Sequence, residues 1–188
     1  MTADLVWASL KFPGLEHVLT RADASGFRAD SQLVMVEDRP VRVSYLLECD
    51  SGWRFTALAM TVTDSGGERT LRLSSTTDGH WQADGVPRPD LAGCIDIDIN
   101  GTPLTNTLPV RRLTWAPGTS HDLSVAYVSV ADLTVRPVSQ RYTQLEPGRY
   151  RYESGSFRAD LPVDEAGFVL DYPAYWSRVR SAPVGVSS

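Results

Sequence analysis

The residues best equipped for chemistry lie in Gly93-Cys-Ile-Asp-Ile-Asp-Ile-Asn-Gly101 and just beyond it. On a strand, period two puts Cys94, Asp96, Asp98 and Asn100 on one face and Ile95, Ile97 and Ile99 on the other. The two carboxylates then stand about 7 Å apart along the strand, and away from water neither stays ionised cheaply without a partner. Oxygen ligands of this kind suit a hard cation. Arg111 and Arg112 lie just downstream, however, and their guanidinium forks favour a neutralised hydrogen-bonded network. Between the two motifs, Thr102-Pro-Leu-Thr-Asn-Thr-Leu-Pro109 has a proline near each end and reads as an ordered loop. Its polar groups, Asn106 foremost, either meet a hydroxyl-rich ligand or bond the loop's own backbone.

Catalytic alternatives find less support. His17, His80 and His121 show no metal-ligand spacing, and there is no G-x-S-x-G nucleophile elbow. His80, beside Trp81 and near Asp78, has the chemistry of a general base; a histidine on a turn is more often solvated or structural. An enzyme built on this chain would draw on His80, Asp96, Asp98 and Arg111. No metal or cofactor is expected. Cys49 and Cys94 form no C-x-x-C pair and read as separate buried thiols.

These groups must be positioned by strands. Val41-Arg-Val-Ser-Tyr-Leu-Leu-Glu48 alternates, with Val41, Val43, Tyr45 and Leu47 on one face. Trp53–Thr63 and Glu68–Ser74 flank Asp64-Ser-Gly-Gly67 and should form a hairpin. Further strands are expected at Leu123–Val130, Thr134–Leu145, Arg149–Glu153, Phe157–Val163 and Gly167–Tyr172. Helix is expected only as short turns at Leu15–Ala22 and Ala174–Val179. Trp53–Thr63 is apolar on both faces, with Trp53, Phe55, Ala57 and Ala59 opposite Leu58, Met60 and Val62. That pattern fits a doubly buried strand, the commoner case, or one wall of an apolar cavity. Phe27-Arg-Ala-Asp30 recurs as Phe157-Arg-Ala-Asp160, which hints at an internal pseudo-repeat.

Composition sets the outer bounds. A chain of 188 residues, 42% hydrophobic and 22% charged, is an ordinary folded globule. One domain over 1–180 with a frayed tail over 181–188 is the expected organisation. A net charge of −5 argues against nucleic-acid binding and against docking on an anionic membrane through a basic patch. Neither a signal peptide nor a membrane span is visible, so the cytoplasm is the expected location. Five tryptophans, seven tyrosines and five phenylalanines supply wall or core material.

Asp78-Gly-His-Trp81, Gly93-Cys-Ile-Asp-Ile-Asp98 and Thr102-Pro-Leu-Thr-Asn-Thr-Leu-Pro-Val-Arg-Arg-Leu113, in that order, resemble a bacterial family described as putative glycolipid-binding proteins. Gln140-Arg-Tyr142, Tyr150-Arg-Tyr152, Phe157-Arg-Ala-Asp160 and Gly167-Phe-Val-Leu-Asp-Tyr-Pro173 with Trp176 extend the likeness from about Trp7 to Arg178. The family pattern often has glycine where this chain has Ala174. The resemblance implies a long, curved, mainly antiparallel sheet, barrel-like or half-barrel, around an apolar tunnel, and it brings no catalytic residues. The function expected is non-catalytic binding or carrying of an amphipathic, lipid-like molecule. Tyr45, Trp53, Trp81, Tyr172 and Trp176 are the expected apolar lining; His80, Asp96, Asp98, Asn106, Arg111 and Arg112 are the expected polar contacts. A structural or homodimerising β module stays open beside the binder and the enzyme.

Overall fold

The structure, a computed structural model, describes residues 1–179; the tail expected to fray lies outside the described residues. Six long strands follow one another in antiparallel register: β1 (Thr2–Ser9), β2 (Gly14–Asp23), β3 (Gly26–Val36), β4 (Pro40–Cys49), β5 (Phe55–Asp64) and β6 (Gly67–Ser75). Two short strands, β7 (Trp81–Ala83) and β8 (Val86–Pro87), extend one edge. A five-stranded sheet curls as a half-barrel. It contains β9 (Asp96–Ile99), β10 (Ser120–Val128), β11 (Val135–Glu146), β12 (Arg149–Ser154) and β13 (Phe157–Pro162) in the order β13-β12-β11-β10-β9. The chain then returns to the first sheet as β14 (Asp171–Tyr172) and β15 (Trp176–Arg178), which pairs with β1. The mainly antiparallel β architecture is therefore as expected. Among the described residues, β9 with β10 is the one parallel pairing.

Four local readings need correction. Leu15–Ala22 is not helical but part of β2, and its burial runs against hydrophobicity: Glu16, Val18 and Thr20 face inward while Leu15 and Leu19 stay about half exposed. Leu15, Val18, Leu19 and Ala22 fall at i, i+3, i+4 and i+7, a helical pattern, and tertiary pairing on both sides overrides it. Ala174–Val179 holds β15 instead of a helical turn. The helix lies where a loop was expected: Leu104–Asn106 forms a 3-10 turn that runs into α1 (Thr107–Arg112). Gly167–Tyr172 is a strand only at Asp171–Tyr172, and Phe168 and Val169 are buried in the segment before it.

A bulge explains the two-faced pattern of β5. The register passes from Glu48 opposite Ala57 to Cys49 opposite Phe55, leaving Thr56 unmatched. Phe55 therefore rotates onto the same buried face as Leu58, Met60 and Val62, while Ala57 and Ala59 face outward. The strand has one buried face, not two. Its partner β6 forms the expected hairpin. The two Phe-Arg-Ala-Asp copies each open a strand after a turn, but β3 lies mid-sheet and β13 on the edge of the other sheet.

One apolar cluster draws on both sheets, with Trp7, Leu33, Leu47 and Leu58 from the first and Ile97, Ile99, Ala126 and Val128 from the second. Trp7 is fully buried, and its indole N–H donates to the carbonyl of Val169 at 2.8 Å. That bond ties β1 to the segment before β14. Cys49 and Cys94 are buried and free. Among the described residues no helix is long and apolar enough to cross a membrane.

The β14–β15 hairpin gives Ala174 a physical meaning. Tyr175 N–H donates to the Tyr172 carbonyl at 2.9 Å across Pro173-Ala174, and Ala174 has φ 66°. Proline second and a left-handed residue third is the pattern of a type II turn, in which glycine costs least. Ala174→Gly is expected to raise stability by about 0.5–1 kcal/mol. Urea denaturation reads this directly, and a variant less stable than the parent would show the left-handed conformation to be unstrained.

Candidate functional site

The site begins at the end of the molecule where both sheets offer aromatic side chains. Phe12, from the turn between β1 and β2, meets Trp176 of β15 edge to face, with ring centres 5.9 Å apart. Opposite, Tyr152 of β12 and Phe157 of β13 approach Tyr172 with ring centres at 6.3 and 6.1 Å. Tyr175 closes the group at 5.6 Å from Phe157 and 5.7 Å from Tyr172. These six rings line a cleft of about 390 Å³, to which Tyr127, Val138 and Met35 also contribute. The volume sits at the small end of the range for small-molecule pockets.

Polar groups gather at the cleft's buried side. Asp98 Oδ2 accepts from Gln140 Nε2 at 2.6 Å and from the Tyr152 hydroxyl at 3.5 Å, and its Oδ1 accepts from Thr105 Oγ1 at 3.3 Å. No cation pairs with it among the described residues, and burial pushes its carboxyl above the usual carboxylate range despite those three donors. Asn106 donates to the Tyr142 hydroxyl at 2.7 Å. Burial likewise raises the phenols of Tyr152, Tyr172 and Tyr142, so all three stay protonated at neutral pH.

Thr102 links the cleft to a second acid behind it. The residue borders the cleft, and its hydroxyl donates to Glu16 Oε2 at 2.6 Å. Oε1 of the same carboxyl accepts from Tyr45 OH at 2.6 Å and Ser31 Oγ at 2.8 Å. Glu16 is fully buried, no cation pairs with it among the described residues, and desolvation raises its pKa. Reading the sequence missed it. Its one signal was negative, a lone carboxylate on the same strand face as Val18 while Leu15 and Leu19 take the exposed face.

The expected site residues separate into two sets. Asp98, Asn106, Tyr172 and Trp176 come together at the cleft. Tyr45 stands behind it, on Glu16. Trp53 instead stacks on Phe27 at 4.4 Å with the Arg111 guanidinium 5.0 Å above its ring. Trp81 stacks on Phe55 at 4.9 Å and donates to the Cys94 carbonyl, so it fills core rather than lining. His80 is exposed, just after the Thr77-Asp78 turn and before β7. Asp96 is buried and takes a bidentate fork from Arg112, with Nε to Oδ1 at 3.0 Å. Arg112 therefore meets one aspartate of the pair, and Arg111 meets neither. Phe12, Tyr127, Arg136, Tyr152, Phe157 and Tyr175 line the cleft without having been singled out. Alternation along β11 and β12 carried a signal for two of them, since Arg136, Val138, Gln140 and Tyr142 share a face, as do Tyr150 and Tyr152.

A family model described as "Putative glycolipid-binding" matches residues 4–178, nearly the whole chain. The chain belongs to this family. A crystal structure of a DUF1089 family protein from Pseudomonas aeruginosa is similar, with a TM-score of 0.81 and 36% identity. The likeness covers 88% of this chain and 92% of that one. No curated protein matches the sequence. In this member of the glycolipid-binding family, the cleft is where the aromatic residues and the buried polar network meet.

Proposed function

We propose that the chain binds an amphipathic, lipid-like molecule in this cleft without making or breaking bonds in it. The apolar part lies against Phe12, Tyr152, Phe157, Tyr172 and Trp176, and the head group reaches toward Asp98, Thr102 and Asn106. One observation carries the reading: the continuous run of aromatic rings ends on a half-buried acid, Asp98, whose hydrogen bonds come only from uncharged groups. An apolar body with a few fixed polar contacts is the usual construction of a small-molecule site. The family's description supports the same reading. The enzyme alternative loses support because, of His80, Asp96, Asp98 and Arg111, only Asp98 borders the cleft. Residues 1–180 act as one domain in this reading, supported by the apolar cluster common to both sheets. The two free buried thiols fit a reducing, cytoplasmic setting.

A fluorescent fatty acyl probe tests the assignment. Tyr172→Ala is expected to weaken uptake roughly tenfold, about 1.4 kcal/mol of lost aromatic contact. Trp53→Ala, being remote from the cleft, is expected to lower stability and leave uptake by the folded fraction unchanged. The reverse pattern would move the binding site to the packed centre. Native mass spectrometry of protein purified from its host then identifies the bound molecule.

A further inference from the structure

Asp98, Tyr127 and Arg136 are successive cross-strand neighbours in β9, β10 and β11. All three border the cleft. The row thus places an acid, a phenol and a guanidinium side by side across strands about 4.8 Å apart. The acid end is occupied by donors from Gln140, Thr105 and Tyr152. The guanidinium end is not. Arg136 lies over the Tyr127 ring at 5.0 Å, and among the described residues no carboxylate pairs with it. Lys11, the cleft's other cation, is engaged: it sits 3.5 Å from Glu37 and 5.3 Å from the centre of the Tyr175 ring.

A guanidinium resting on an aromatic face keeps its in-plane N–H donors available and loses little freedom when they engage. Its natural complement is a planar carboxylate or a phosphate, gripped by two parallel hydrogen bonds. We propose that the head group of the cleft's ligand carries such an oxyanion and that Arg136 holds it. This rests on the binding reading above and names the chemistry of the head. Asp98 lies two strands away and is capped by three donors, and burial favours its uncharged form, so it opposes the anion weakly.

The test uses decanoate, decyl phosphate and the neutral decyl glucoside, each below micelle formation, with the fluorescence of Trp176 in the cleft and calorimetry as readouts. Wild type is expected to bind the two anions roughly tenfold tighter than the glucoside, about 1.4 kcal/mol. Arg136→Gln should abolish that preference, so that the anions bind no tighter than the glucoside, and Arg136→Lys should restore part of it. Arg136 is exposed, so circular dichroism should find both variants folded. Equal affinity for all three probes, untouched by Arg136→Gln, overturns the oxyanion assignment and leaves the binding cleft standing. Binding of none overturns the cleft and the oxyanion together. A phosphate preferred over the carboxylate supports a phosphorylated head; the opposite order supports a free acid.

Discussion

Arg112→Ala is expected to destabilise the fold by about 3–5 kcal/mol, the usual penalty for leaving one member of a buried ion pair alone. Asp96 is almost wholly buried, and among the described residues the Arg112 fork is the one cationic group hydrogen-bonded to it. Even with that fork in place, burial outweighs the guanidinium and keeps the Asp96 carboxyl above its ordinary pKa. Without it, the carboxyl must either take up a proton or stay charged in an apolar site. The pair also joins α1 to β9, so its loss should loosen the segment that carries Thr102 and Asn106 to the cleft. A double variant, Asp96→Leu with Arg112→Met, removes both charges and should recover most of the loss. Urea denaturation of the single and double variants decides it. A single-variant cost under about 1 kcal/mol would mean that water replaces the fork.

The second large effect is a pH dependence. Glu16 has a raised pKa in the folded state, so the folded chain binds more protons than the unfolded one between the two values. Its stabilising contribution is whole below the ordinary glutamate pKa and is lost as pH rises through the raised one. The loss amounts to about 1.4 kcal/mol for each unit by which burial raises the pKa. Asp98 and Asp96 shift in the same direction and add to the slope. Glu16→Gln keeps the shape without the charge, and Ser31, Tyr45 and Thr102 can turn their hydroxyls to suit it. The variant should gain on wild type as pH rises above the ordinary glutamate value, until Glu16 of the folded wild type has ionised. Parallel stability curves for the two proteins would falsify the claim that Glu16 ionises at a cost. Because Thr102 connects Glu16 to the cleft, the same titration run with bound probe shows whether ligand affinity follows that proton.

The sequence by itself determined the local grammar of this protein. Period-two alternation in Val41–Glu48, the Asp-Ser-Gly-Gly turn before β6 and the repeated glycine turns after β10 follow from side-chain direction and backbone sterics, which act over a few residues. It also determined that Asp96 and Asp98 share a face and that an arginine lies near enough to answer one of them. Only the tertiary structure decided which arginine answers, that β9 runs parallel to β10, and that Glu16 rather than Leu15 or Leu19 turns inward on β2. A bulge at Thr56 turned a strand that reads as apolar on both faces into an ordinary one-sided strand. The cleft itself combines Phe12, Asp98, Arg136, Tyr152 and Trp176, residues spread over most of the chain. No short-range rule brings them together; their meeting is set by the summed packing of two sheets, which favours one arrangement of many long-range contacts even where a local preference is overruled.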